Sequence, residues 1–257
     1  MMRTELIPRT IHYCWFGNKE KSGLIQECIE SWKEYLPGYE IHEWNESNFD
    51  IHICPYVEEA YNQRKWAFVS DYVRLWALYN FGGLYFDTDV QVLKPFDCFL
   101  DNEAFTGYEA NDSPITAVMG ARKENSMIKH MLDYYNDKQF LNADGSLNLV
   151  TNTSIITHQL KELGMIPNGK KQTINGMTIY PQIFFCPNNI SRIWNKPSKE
   201  SFAIHHFDQS WRAKTANHTS KKGRIKRYFV GCLRNLIGTN AFLNFARKMN
   251  GLHNTRK

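Results

Sequence analysis

Two carboxylates, Asp87 and Asp89, follow the apolar residues 84–86 directly and are separated by one threonine. Oxygen ligands of this kind suit a hard divalent cation such as Mn²⁺ or Mg²⁺, which can neutralise a diphosphate leaving group. The two side chains can converge only if the chain bends away from regular strand pleating. A pair of solvated turn carboxylates has the same spacing. The apolar strand in front favours the metal interpretation, since placing two acids at a buried strand end is costly without a partner.

The residues before this pair predict the elements that position it. Apolar spacing predicts a helix over residues 64–80, with Val69, Tyr72, Val73 and Trp76 on one face that continues to Asn80. Two glycines at 82 and 83 then end the helix, because glycine accepts the left-handed backbone that helix ends require. A short buried strand over residues 84–86 follows and delivers the carboxylates at its carboxyl end, where α/β sheets place ligands.

The remaining pattern predicts an α/β fold. A strand over 11–16, a helix over 22–35 and a second strand over 39–44 form a βαβ unit. Further on, the composition predicts strands over 104–108 and 116–121, helices over 125–136 and 153–163, and an extended stretch over 177–185.

The bulk composition indicates one globular domain with elaborations. The chain has 257 residues, of which 42% are hydrophobic and 14% aromatic. No apolar run approaches the roughly 20 residues of a membrane span, and the N-terminus lacks the apolar core of a secretory signal. We therefore expect a cytoplasmic protein. The six cysteines are scattered, which predicts buried reduced thiols rather than a zinc site or a disulfide framework.

Three segments carry a family resemblance. Residues 70–89 (SDYVRLWALYNFGGLYFDTD) resemble the donor-binding block of glycosyltransferase family 32, the DXD sugar transferases of bacterial capsular and other surface glycans. Residues 7–17 (IPRTIHYCWFG) resemble the family's first strand, and residues 204–211 (IHHFDQSW) its C-terminal signature. The resemblance implies a GT-A-type, Rossmann-like nucleotide-sugar-binding fold with a mixed central sheet. It also implies transfer of a sugar from a UDP- or GDP-sugar to a hydroxyl of a surface-glycan acceptor, with retention of the anomeric configuration. We expect this acceptor to be lipid-linked.

The same resemblance implies a metal site. Asp89 would ligate Mn²⁺ or Mg²⁺ directly, and Asp87 would contact the metal and the donor ribose. His205 is the expected third ligand. His206 is the alternative, because strand alternation sends the two imidazoles to opposite faces.

Other residues would bind the donor. Asp71 and Arg74 would reach hydroxyls of the donor sugar, and with Asp87 and Asp89 they make up the expected catalytic set. By spacing alone, Asp71 and Arg74 could equally be an exposed helical ion pair. Trp15 would lie near the base, unless it is a core residue. The other expected donor-binding residues are Tyr85, Thr88, Ser210 and Trp211.

Two alternatives stay open. The run FDTDV also fits the nucleophile loop of haloacid-dehalogenase-type phosphatases, in which Asp87 would be phosphorylated and Asp89 would act as acid/base. That motif usually follows the first strand and has a later acidic pair, neither of which occurs here. The second alternative is a non-catalytic protein that binds a membrane or a polyanion through its C-terminus.

The C-terminus is strongly basic. Twelve Lys and Arg residues and no Asp or Glu follow Asp208. Because the whole chain has a net charge of +5, the first 208 residues have a net charge of about −7. Apolar residues at helical spacing predict an amphipathic helix in a tail over 218–257, after a catalytic domain over 1–217. We expect this helical basic extension to contact the cytoplasmic face of an anionic membrane peripherally. We expect no nucleic-acid partner. The alternative is a tail that is merely solvated.

Overall fold

A mixed seven-stranded sheet runs through the computed structural model, which describes residues 6–187 and 197–208. The nine strands of these residues are β1 (Thr10–Cys14), β2 (Glu40–Trp44), β3 (Gly83–Phe86), β4 (Val90–Val92), β5 (Ala104–Ala110), β6 (Ser113–Ala121), β7 (Gln172–Ile174), β8 (Met177–Tyr180) and β9 (Ala203–His205). The helices are α1 (Gly23–Tyr35), α2 (Pro55–Asn62), α3 (Trp66–Phe81), α4 (Ser126–Asp133), α5 (Asn152–Glu162) and α6 (Gln182–Phe185).

The strand order of the large sheet is β2-β1-β3-β6-β5-β8-β7. Strand β1 pairs in parallel with both β2 and β3, and β6 runs antiparallel to β3 and to β5. The predicted βαβ unit is confirmed by β1, α1 and β2, and so are the α/β class and the mixed central sheet. Because β1, β3, β5 and β8 are mutually parallel, their carboxyl ends share one edge of the sheet.

The turn between α3 and β3 depends on its two glycines. Gly82 and Gly83 have φ of +70° and +102°. A Cβ on Gly82 would lie 2.6 Å from the backbone N of Lys123, and one on Gly83 would lie 2.6 Å from the carbonyl O of Thr10. The predicted glycine helix end is thus confirmed, and the close approach excludes any side chain there.

Helix α3 is buried on most of its surface, which differs from the single apolar face predicted. Val69 and Val73 are fully buried as expected, whereas Tyr72, Trp76 and Asn80 are only partly buried. The helix contacts α2 and α4 as well as β1 and β3, so its neighbours cover several sides. A helix enclosed in this way does not need a single apolar stripe.

Two apolar layers cover the sheet. Alternation along β3 sends Tyr85 into the layer that contains α2, α3, α4 and α5, and sends Leu84 and Phe86 into the layer that contains α1 and α6. The site therefore lies at a sheet edge with a packed core on both faces.

Three expectations need correction. The stretch 177–185 is not extended throughout, since Pro181 ends β8 and the short helix α6 follows. Helix α2 was not predicted. No disulfide joins the five cysteines that the structure describes, but Cys98 is exposed and Cys54 is half-buried, so the prediction of burial is wrong for these two. Cys232 lies outside the described residues.

No helix within residues 6–187 and 197–208 is long and apolar enough to cross a membrane. The basic tail and the proposed domain boundary at residue 217 lie outside the described residues and stay predictions.

One buried histidine ties the parallel strands to the α3–β3 turn. Nε2 of His12 lies 2.8 Å from the carbonyl O of Gly82, and the indole N–H of Trp44 donates to Nδ1 of His12 over 3.2 Å. This pattern requires a neutral ring with its proton on Nε2. Burial lowers the pKa of His12 from 6.5 to about 4, although its hydrogen bond to Gly82 raises it slightly.

We expect His12 to destabilise the fold in acid. The unfolded chain binds a proton on this ring below pH 6.5 and the folded chain only below about 4, so its stabilising effect is lost as the pH falls between those values. Urea unfolding of wild type and His12→Gln from pH 7 to 4 should show wild type losing roughly 3 kcal/mol more than the variant. Parallel pH profiles would contradict this assignment.

Candidate metal and donor site

The chain bends at the carboxylate pair, as its spacing required. Residues 88 and 89 form a turn between β3 and β4, closed by the Val90 N–H donating to the Asp87 carbonyl over 3.0 Å. The Asp87 N–H donates to the Ala117 carbonyl over 2.9 Å. Helix α1 holds the start of β4, since the Trp32 indole N–H donates to the Val90 carbonyl over 2.7 Å. The turn is therefore fixed on both sides.

A second, two-stranded sheet brings a distant histidine to the pair. Strand β9 runs antiparallel to β4, with His205 opposite Val90. Nε2 of His205 lies 3.3 Å from Oδ1 of Asp89, and the Asp208 N–H donates to Oδ2 of Asp89 over 2.7 Å. One ligand atom each from Asp87, Asp89 and His205 lies within 4.8 Å of the others.

His206 lies apart from this group. Its backbone N–H donates to the Asp89 carbonyl over 3.0 Å, while its Nε2 lies 3.1 Å from Oε1 of Gln91. Alternation along β9 turns consecutive side chains in opposite directions. Of the two candidate histidines, the structure brings His205 and not His206 to the carboxylates.

The electrostatics of the group favour positive charge between the carboxylates. Burial alone would raise the pKa of Asp89, but the adjacent His205 and the Asp208 N–H lower it to about 2. For His205 the directions are reversed. Burial lowers its pKa, but the charges of Asp89 and then of Asp87 raise the pKa above its ordinary value. Asp89 and His205 thus stabilise each other's charged form.

The residues present fit a divalent metal. Two carboxylates and one imidazole form a donor set that Mn²⁺ accepts, and three protein ligands leave positions open for phosphate oxygens. Nδ1 of His205 is buried and has no hydrogen-bond partner among the described residues. An imidazole with one unengaged ring nitrogen is able to turn toward an ion.

Asp71 and Arg74 are not the exposed helical pair that their spacing allowed. Their side chains are only 12% and 5% exposed, and Nη2 of Arg74 lies 2.9 Å from Oδ1 of Asp71. The same Nη2 lies 3.3 Å from Oδ1 of Asp87. One guanidinium therefore links the helix α3 carboxylate to the first residue of the DXD turn.

Two further groups complete the surroundings of Asp87. Nη1 of Arg74 donates to the Thr116 carbonyl over 2.7 Å, and its guanidinium carbon lies 4.9 Å from the centre of the Tyr85 ring. The Tyr85 hydroxyl donates to Oδ1 of Asp87 over 3.0 Å. Tyr85 thus orients Asp87 from the protein side rather than reaching outward as a donor-binding group.

Sequence reasoning missed the support behind Asp71. Burial raises the pKa of Asp71 to about 7, against the attraction of Arg74 and a hydrogen bond from the Asn152 N–H. Asn152 is the first residue of α5, and the amino end of a helix favours a carboxylate. The N-cap signature of Thr151 was a usable signal for the helix, but nothing in the sequence linked it to Asp71.

The other predicted donor-binding residues are placed as follows. Trp15 follows β1 at the same sheet edge, is half-exposed, and its indole N–H donates to the Lys19 carbonyl over 2.7 Å. The Lys21 amine lies 5.3 Å from the centre of that ring. Thr88 is half-buried in the DXD turn. Ser210 and Trp211 lie outside the described residues.

Removing Arg74 should destabilise the protein strongly, because it leaves Asp71 and Asp87 without their shared cation. Arg74→Met should lower the free energy of unfolding by roughly 3 kcal/mol or more, measured by urea denaturation at pH 7.

A matched control is Arg122→Met. Arg122 pairs with Glu103, and both side chains are more than 40% exposed, so this change should cost less than about 1 kcal/mol. Equal losses in the free energy of unfolding for the two variants would show that burial of the Arg74 pair contributes nothing to stability.

Comparisons with known proteins agree with this geometry. Residues 23–106 match the family model described as the glycosyltransferase sugar-binding region containing DXD motif. An uncharacterized protein of Arabidopsis thaliana (At4g19900) is 30% identical over 128 residues, which are 49% of this chain. The chain spans only 19% of that protein's length.

Two solved structures resemble parts of this chain. The PaToxG glycosyltransferase is 20% identical, with a TM-score of 0.47 over 61% of this chain and 69% of that one. A glycosyltransferase involved in the glycosylation of the major capsid of PBCV-1 is 15% identical, with a TM-score of 0.45 over 85% of this chain and 98% of that one. Neither likeness by itself assigns a function.

The matched segment contains Asp71, Arg74, Asp87 and Asp89, and the predicted resemblance to a DXD sugar transferase is confirmed. Residues 23–106 are thus similar to a glycosyltransferase sugar-binding region containing the DXD motif.

Proposed function

We propose that this protein is a metal-dependent, retaining glycosyltransferase that moves a sugar from a UDP- or GDP-sugar to a hydroxyl of a surface-glycan acceptor such as a capsular, lipid-linked oligosaccharide. The observation that carries the proposal is the convergence of Asp87, Asp89 and His205 beside a DXD sugar-binding region. Nothing in the site favours the phosphatase alternative, because the third group beside the two carboxylates is a histidine.

Asp87, Asp89 and His205 would hold Mn²⁺ or Mg²⁺. The ion, when bound, would supply positive charge to the departing diphosphate. The bent turn supports this role, since both carboxylates are already oriented by hydrogen bonds from Tyr85 and from the Asp208 N–H. Such preorganisation avoids the cost of turning dipoles during the reaction.

Asp71 would bind the donor sugar. Arg74 would act mainly by orienting the Asp71 carboxylate. Three nitrogens of Arg74 already face protein acceptors, at Asp71, Asp87, Thr116 and Ser70. Trp15 is proposed to stack on the base, which its half-exposed indole supports, and Ser210 and Trp211 are proposed to lie on the diphosphate side.

Neither Asp87 nor Asp89 is proposed as a covalent nucleophile. Asp87 pairs with Arg74 and accepts from the Tyr85 hydroxyl, and Asp89 faces His205, an arrangement that suits metal ligation. We propose same-face transfer: the bond from the anomeric carbon to the diphosphate oxygen breaks, the acceptor oxygen bonds to that carbon, and the acceptor's proton passes to the departing diphosphate.

We expect hydrolysis or transfer from at least one UDP- or GDP-sugar only when Mn²⁺ or Mg²⁺ is present. Release of the nucleoside diphosphate should fall on the order of 100-fold or more in Asp89→Asn, because a direct metal ligand is lost. Asp144→Asn is the control, since Asp144 caps a surface turn through Ser146.

Undiminished release by Asp89→Asn, or full activity in EDTA, would overturn the proposal. A thermal-shift panel of nucleotide sugars with Mn²⁺ identifies the donor, since a ligand of the folded state raises the melting temperature.

We also propose that the chain acts at the cytoplasmic face of a membrane through its basic tail. The clustering of cations after Asp208 supports this location, at about 1 kcal/mol per cation near an anionic surface.

Full-length protein should float with phosphatidylserine vesicles at low salt. A full-length variant with six tail cations changed to glutamine (Lys221, Lys222, Arg224, Lys226, Arg227 and Arg234) should float less. Equal flotation of the two proteins would exclude the tail as the membrane contact.

A further inference from the structure

The chain turns sharply just after β9, at Phe207, whose φ of +52° is a left-handed backbone conformation. In the described part of the chain, the residues other than glycine with a positive φ are Asn18, Arg64, Glu124, Asn175 and Phe207. Asparagine tolerates this conformation, and Arg64 and Glu124 are exposed. Phe207 is the bulky apolar residue of the group and is half-buried. Backbone strain of this kind persists only where the surrounding contacts impose it, and it clusters at functional sites.

The turn at Phe207 directs two backbone groups to Asp89. Before the turn, the His206 N–H donates to the Asp89 carbonyl over 3.0 Å and continues the pairing of β9 with β4. After the turn, the Asp208 N–H donates to Oδ2 of Asp89 over 2.7 Å. An extended residue at 207 would carry the chain past Asp89, since a strand advances about 3.3 Å per residue. The left-handed residue therefore keeps the chain beside this carboxylate.

The Phe207 ring contacts the imidazole of His205. The two ring centroids are 4.0 Å apart, and the ring planes are inclined by 38°. The His205 side chain is 12% exposed, and its Nε2 lies 3.3 Å from Oδ1 of Asp89. A ring packed at this distance limits the rotation of the imidazole, because rotation would drive the two rings into each other. The contact thus keeps Nε2 of His205 directed at Asp89.

The orientation of a metal-bound imidazole matters for affinity. Histidines that bind metals almost always donate their other ring N–H to a carboxylate, a carbonyl or a water, which fixes the plane of the ring. The other nitrogen of His205, Nδ1, is buried without a hydrogen-bond partner among the described residues. Packing by Phe207 fixes the same property of the ring through an apolar contact.

We propose that Phe207 is a positioning residue of the metal site: its left-handed backbone holds the Asp208 N–H on Asp89, and its ring holds the His205 imidazole facing the same carboxylate. Its side chain has no atom that could ligate the ion. This inference rests on the proposed metal site and extends it to a residue outside the matched segment 23–106. One residue would thereby orient two ligands that come from different parts of the chain.

The test is a Mn²⁺ titration of the full-length protein, in which electron paramagnetic resonance measures the free ion. Phe207→Leu keeps an apolar side chain at this position but removes the ring from His205. It should raise the Kd for Mn²⁺ about 10-fold, as does the loss of other groups that orient metal-bound histidines. Phe207→Tyr keeps the ring and should bind Mn²⁺ as wild type does.

Phe184→Leu is the matched control. Phe184 is half-buried in the same apolar layer, where it stacks on Phe202 with the ring centroids 5.7 Å apart. This change should leave the Kd for Mn²⁺ unchanged. A rise equal to that of Phe207→Leu would assign the effect to a general loosening of the layer and overturn the role of Phe207. An unchanged Kd in Phe207→Leu, or a raised Kd in Phe207→Tyr, would overturn it as well.

Phe207→Gly separates the side chain from the turn. Glycine adopts the left-handed conformation without strain, so the turn is kept while the ring is lost. The Kd for Mn²⁺ should rise at least as much as in Phe207→Leu, and wild-type affinity in this variant would show that the ring does not position His205. Thermal unfolding of each variant without metal establishes that the titrated protein is folded.

Asp89→Asn distinguishes failure of this role from failure of the metal site. If Asp89→Asn abolishes saturable Mn²⁺ binding while Phe207→Leu binds as wild type does, only the role of Phe207 is wrong. If wild type shows no saturable binding, or Asp89→Asn binds as wild type does, the metal site itself is wrong, and the role of Phe207 with it.

Discussion

The candidate site depends on one buried guanidinium. Arg74 is 5% exposed and binds Asp71 and Asp87 through a single nitrogen. A buried charge of either sign costs several kcal/mol unless it is paired and hydrogen-bonded, so the three groups are stable only together. The consequence is mechanical as well as energetic. The first carboxylate of the DXD turn is held by a helix in the core and cannot swing freely with its loop.

Strand β6 supplies the acceptors that Arg74 and Asp87 require. On the side of β3 its register is regular, with Phe86 opposite Val118, and the Asp87 N–H continues it by donating to the Ala117 carbonyl. On the side of β5 the register shifts between Thr106 and Tyr108. Beside that shift the Thr116 carbonyl accepts from Arg74. Irregular pairing beside a site can leave a backbone carbonyl for a side chain of that site.

The two sides of the metal group are held by sheets of different size. Asp87 is held by the large sheet, whereas His205 is brought in by the short pairing of β9 with β4. That pairing places residues more than a hundred positions apart in the chain side by side.

Local sequence determined the elements and the chemistry. Apolar runs and glycines specified β1, α1, β2, α3 and β3 nearly to their ends, because periodicity and helix ends are local properties. The residue types at 87 and 89 were enough to indicate a divalent cation. The choice of His205 over His206 and the burial of the Asp71–Arg74 pair depended on which strands and helices meet. Those relations join residues that are far apart in the chain, and only the tertiary structure decided them.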